Sequence, residues 1–155
     1  MNPVYAHVLI VHLPVVGTLF TFAVLVFAAA VGDRRTVLFG CALAVVCAAA
    51  AAAAYGTGPP AYEVVGAAVD EPTRALAEQH AVMGRVAFVL GIVAGIIALQ
   101  ALLRAAAAED PSPWVVRALA ALLLLLAGIL SWTAHLGGGI AHPEARSGPT
   151  SSADA

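Results

Sequence analysis

The 155-residue sequence is poor in charge: 10% of its residues are charged and 62% are hydrophobic. Ordinary soluble domains carry roughly 25% charged residues. A chain this lean in charge cannot cover a water-facing surface, so lipid is its natural solvent. Lysine is absent and all seven basic residues are arginine, which with the abundant alanine reads as compositional bias of the genome. The net charge of -2 and the lack of a basic stripe exclude a nucleic-acid partner. The two cysteines, Cys41 and Cys47, lie in one apolar segment. Their spacing turns them about 240° apart on a helix, which excludes a disulfide within that helix and makes each a small hydrophobe. Catalytic signatures are missing too. There is no C-x-x-C-H haem attachment, no H-E-x-x-H and no G-x-S-x-G. Ser131, one turn before His135, has the spacing for a hydrogen bond, but a serine bonded to its own helix backbone is the simpler account.

What is present is long apolar segments. A spanning helix needs about 20 mostly apolar residues. Four segments qualify, at about residues 8–31, 36–55, 80–103 and 114–135. Gly32-Asp33-Arg34-Arg35, Gly56-Thr57-Gly58-Pro59-Pro60 and Gly137-Gly138-Gly139 read as their ends. Asp70-Glu71-Pro72 predicts that the third helix starts above the lipid, with an amphipathic lead-in to Gln79, and Asp110-Pro111-Ser112-Pro113 opens the fourth. No Arg or Lys precedes the first segment, so it reads as a retained helix rather than a cleaved signal peptide. The expected fold is an all-α, four-helix, up-down integral membrane bundle over residues 1–142. Residues 143–155 read as a disordered tail.

Arg34, Arg35, Arg104 and Arg117 fall on one side of the membrane. Arg74, Arg85 and Arg146 fall on the other, outnumbered by acids. The positive-inside rule then predicts both termini outside, in a cell's inner (plasma) membrane.

Ionisable residues in membrane segments mark functional sites by default. His7 and His12 open the first helix, His80 opens the third, His135 ends the fourth and His142 follows it. All five fall at the outer face, and helix two carries none. His12, His80 and His135 share a depth and are expected to converge. His12 is turned about 140° from His7, so the two cannot share a helix face. Pro14 frees the carbonyl of Ile10 and invites a kink beside His12. Arg85 lies about 7.5 Å deeper than His80 and needs an anion, either Glu78 or Glu63 or the carboxylates of a cofactor. Gly17, Gly84 and Gly128 stand a turn or two from histidines, where a flat ring could approach the backbone, although small-residue packing, as in Gly91-x-x-x-Gly95, is the better account of such glycines.

Inward histidines in a four-helix bundle are a way to hold a cofactor. One expectation is a non-covalent b-type haem, with two of His12, His80 and His135 as axial ligands and Arg85 on a propionate, for electron transfer with a membrane or periplasmic redox partner or quinone. A second is a copper, zinc or iron ion held by these imidazoles with Glu78 or Glu144. A third is a cofactor-free accessory or assembly subunit. On any of them the protein is a carrier or binding protein rather than a stand-alone enzyme.

The motif His7-Val8-Leu9-Ile10-Val11-His12-Leu13-Pro14, then Thr57-Gly58, then His80 opening helix three, then Leu136-Gly137-Gly138-Gly139 before His142, resembles the bacterial membrane proteins grouped as domain of unknown function 2231. The resemblance runs from about Pro3 to His142. It implies the four-helix membrane fold and no particular activity. Leu13 stands where phenylalanine is more usual, and the exit from helix four is richer in glycine.

Overall fold

The computed structural model describes residues 2–66 and 69–145. Four helices follow one another: α1 (Pro3–Val31), α2 (Arg34–Gly66), α3 (Glu71–Ala106) and α4 (Pro113–Ala141), with a 3₁₀ turn at Pro143–Ala145 and no strand among the described residues. All four are long and apolar enough to cross a membrane. Each packs on two neighbours, α1 on α2 and α4, and α3 on α2 and α4, so the bundle is a ring of four. Residues 146–155 of the expected tail, Arg146 and Asp154 included, lie outside the described residues. Pro143–Ala145, expected to open that tail, form the 3₁₀ turn.

Local chemistry sets the helix starts. Asn2 accepts from the Val4 amide with Pro3 in the first turn of α1. The Asp33 carboxylate accepts from the amide and hydroxyl of Thr36 and caps α2. Asp70 accepts from the Thr73 amide and caps α3, so the lead-in above the lipid is helical as expected. Gly32 ends α1 in the left-handed region (φ 68°), its amide on the Ala28 carbonyl.

Two expected ends are not ends. Helix α2 runs through Pro59 and Pro60 to Gly66. Each proline removes one amide and leaves a carbonyl, of Tyr55 and Gly56, without its helical donor. Both residues are exposed near the end of a span, where water can satisfy those carbonyls. Helix α4 likewise runs through Gly137-Gly138-Gly139 to Ala141. Gly137 serves contact rather than termination, because a Cβ there would stand 3.2 Å from Cε1 of His80.

The core is small-residue packing. On α2 and α3 the buried stripes are mostly alanine and glycine. A Cβ on Gly95 would lie 2.5 Å from that of Ala48, and one on Gly91 would meet Ala51, so the Gly91-x-x-x-Gly95 step seats α3 on α2. Leu25, Leu119 and Leu123 fill the centre, and both cysteines are buried and unbridged. Large apolar side chains such as Leu13, Phe20, Phe27 and Leu124 point outward, the surface a lipid-facing bundle presents. At the end away from the histidines, Arg34 bonds Asp110 at 2.6 Å and ties the α1–α2 and α3–α4 connections. Both side chains are exposed, so the pair adds little stability.

Candidate functional site

All five histidines stand at one end of the bundle, as the topology required. Their directions differ from the expected convergence. Among the described residues, the two that meet inside the ring are His7 and His80, with ring centroids 6.2 Å apart and planes at 82°. Both are half-buried.

Each ring is held from behind. Thr57 on α2 donates its hydroxyl to the Ala54 carbonyl at 2.9 Å. Its oxygen can therefore only accept from His7 Nδ1, 2.9 Å away, which makes His7 the Nδ1–H tautomer. His80 Nδ1 lies 2.9 Å from the carbonyl oxygen of Thr133 on α4, an obligate acceptor, so His80 is the same tautomer. Thr133 turns its own hydroxyl back onto Ile129. The consequence is two imidazoles that each donate Nδ1–H backward and whose Nε2 atoms meet no protein partner among the described residues. Glycine makes the room. A Cβ on Gly137 would press against His80, 3.2 Å from Cε1, whereas one on Gly58 would meet His7 at an ordinary contact distance of 3.7 Å.

Metal-binding histidines characteristically donate the ring N–H opposite the ligating nitrogen to a carbonyl or similar acceptor, which fixes tautomer and orientation. His7 and His80 both have that arrangement. Two metal–nitrogen bonds of about 2 Å each, plus the distance from each nitrogen to its ring centre, span about 6 Å, close to the observed separation. The pair suits a group that asks for two imidazoles. It does not complete a protein-only metal site, since no three His, Cys, Asp or Glu among the described residues stand close enough to share an ion.

The other expected site residues face elsewhere. His12 is exposed and bonds the Val8 carbonyl of its own helix at 2.6 Å, because the rotation that brings His7 inward turns His12 out. Pro14 faces the interior, and α1 runs through it. His135 is exposed and stacks on Trp132 at 5.3 Å. His142 is exposed beside Glu144 at 3.0 Å. Glu144 is held below the usual carboxylate range by a backbone amide first and by His142 second. Arg85 is exposed on the outer wall, without an ion-pair partner among the described residues, because five residues rotate it about 140° from His80. It does not lie beneath the histidines.

Sequence reasoning did not assign Thr133, Thr57, Gly58 or Gly137 to this cluster. The signal that would have found them is rotational. On α1 the buried residues Pro14, Thr18, Thr21, Leu25 and Ala28 repeat at near-heptad spacing, and that line extended outward reaches His7, not His12. On α3 the line of Thr73, Ala77, Ala87, Gly91 and Ala94 passes through His80. On α4 Leu126, Leu130, Thr133 and Leu136 define a line that bypasses His135.

The depth of the pair follows from helix length. From His7 to Val31 α1 runs about 36 Å, and from Thr133 back to Pro113 α4 runs about 30 Å. A hydrocarbon layer is about 30 Å thick, so the pair sits at its edge.

No protein-family model matches the chain, and neither the curated proteins nor the solved structures contain a match to it.

Proposed function

We propose that this chain is a multi-pass inner-membrane protein that holds one non-covalent b-type haem by His7 and His80 and serves electron transfer. The observation that carries the reading is the matched pair of Nδ1–H imidazoles, each locked from behind and each with a free Nε2. A haem iron takes its axial ligands in this number, the porphyrin supplying the rest. A structural zinc ion takes four protein ligands. A bare copper, zinc or iron ion would need donors beyond those that stand together among the described residues. Bound haem supplies one-electron chemistry. The chain's own residues hold it: His7 and His80 as ligands, Thr57 and the Thr133 carbonyl as their anchors, Gly137 as clearance.

The resemblance to the proteins of domain of unknown function 2231 belongs to the same reading. Of the residues that carry it, His7, Thr57-Gly58, His80 and Gly137 are gathered in this cluster, while His12 and His142 face away from it. The arginine bias supports both termini outside. The redox partner is then a membrane or periplasmic carrier, or a quinone.

A second reading rests on one observation: His7 joins α1 to α2 and His80 joins α3 to α4. In that reading the histidines are cross-links of a cofactor-free accessory subunit. The absorbance of detergent-purified protein, reduced with dithionite and supplemented with haem if colourless, separates the two. The haem reading expects a Soret and α band at one haem per chain. A protein that stays colourless after haem addition leaves the cross-link reading.

A further inference from the structure

Outside the ring of helices, the same α3–α4 seam carries a recess. It is a groove of about 420 Å³ lined by Ala75, Glu78, Gln79, Val82, Met83 and Trp132. Ligand pockets run from about 300 to 1,000 Å³. Gln79 and Trp132 are the chain neighbours of His80 and Thr133, whose hydrogen bond closes the seam from inside. The groove and the histidine pair are thus two sides of one helix–helix joint.

We infer that this groove docks the headgroup of a membrane quinone. Three features select it. First, the walls change character with depth. Glu78 and Gln79 stand toward the water, while Val82 and Met83 stand below among outward apolar side chains, so the occupant is an amphiphile that arrives through the bilayer. Second, Trp132 supplies a flat wall stiffened by its stack on His135, which suits a planar head. Third, the polar groups match a quinone in both redox states. The Gln79 amide donates to a quinone carbonyl, and the Glu78 carboxylate accepts from a quinol hydroxyl. Glu78 has no ion-pair partner among the described residues and is free to do so. As the redox partner of the bundle the quinone rests on the haem reading. As a bound ligand it stands on the groove alone.

The chain has two tryptophans, and Trp114 opens α4 about 27 Å from Trp132, at the opposite membrane face. In the Trp114→Phe variant Trp132 reports the groove. In Trp132→Phe, Trp114 reports the bilayer. Both are reconstituted in phosphatidylcholine vesicles and titrated with a short-chain benzoquinone analogue. The groove predicts saturable quenching of Trp132 and only linear, partition-driven quenching of Trp114. Gln79→Leu and Glu78→Leu, exposed positions whose folding is checked by circular dichroism, raise the half-saturating concentration about tenfold, the scale of a lost hydrogen bond to a charged or well-placed group. Linear quenching of both tryptophans overturns the proposal. So does saturation indifferent to both variants, or saturation abolished by adding ethanolamine phospholipid, which would assign the groove to lipid. Absorbance of the same samples reads haem separately. A colourless protein that still quenches saturably keeps the groove and overturns the haem reading. A haem-bearing protein without saturable quenching overturns the groove alone.

Discussion

Thr57→Val is the most informative single change, because it keeps the shape of the residue and removes the hydroxyl that meets His7 and bonds the Ala54 carbonyl. Valine has the shape of threonine, so the half-buried packing of α2 against α1 persists. What disappears is the oxygen 2.9 Å from His7 Nδ1. The ring N–H then loses its side-chain acceptor and keeps only the backbone of Ala54, so the ring is held less firmly in the orientation that presents Nε2. Loss of such an outer partner typically costs 10- to 100-fold in metal affinity, or about 1.4–2.7 kcal/mol. The assay is a haem titration of cofactor-depleted protein in detergent, followed at the Soret band. Thr57→Val should weaken binding within that range, and Thr57→Ser, which keeps the hydroxyl, should stay within about threefold of the parent. Equal affinity for all three proteins refutes the argument that Thr57 holds His7 for a ligand. A serine variant as weak as the valine one would point to packing instead.

Other changes probe the scaffold. Gly95→Val puts a side chain where even a Cβ would stand 2.5 Å from that of Ala48, so α3 must leave α2; a loss of about 1–3 kcal/mol or more is expected in denaturant titration in mixed micelles. Thr18→Val removes a buried hydroxyl that has no partner among the described residues and should leave thermal stability unchanged or raise it by about 1 kcal/mol, whereas a clear loss would reveal a partner for that hydroxyl. Asp33 is held below the ordinary carboxylate range by its hydrogen bonds to the Thr36 side chain and amide. Its folded value is depressed, so its contribution is complete above the ordinary range and fades as pH falls through the depressed value. Asp33→Asn should flatten the curve by lowering stability at neutral pH, where the charged carboxylate contributes, and leave the acid limit nearly unaffected, as melts across a pH series would read.

Much of the fold was legible because span length and end chemistry are local properties. The Asp70 cap, the Gly32 stop and the Gly91-x-x-x-Gly95 packing all follow from residues within a turn or two. Pro59-Pro60 and Gly137-Gly138-Gly139 misled because a helix break is a matter of unsatisfied groups and crowding. Water near the span's end meets the first demand, and the imidazole of His80 occupies the space glycine leaves in the second. The site was legible in depth but not in rotation. In a soluble helix the apolar face marks the inside. Here every face of α1 is apolar, and the inward face is marked instead by Pro14, Thr18, Thr21 and Ala28. Depth alone grouped His12 and His135 with His80, and rotation separates them.

The central claim is that His7 and His80, not the deeper or outward histidines, form the ligand pair. An alanine series over His7, His12, His80, His135 and His142, each purified and scored for haem bound per chain, tests it most directly. The account predicts loss of haem in His7→Ala and His80→Ala and near-parental content in the other three. Loss in His12→Ala or His135→Ala equal to that in His80→Ala would contradict it.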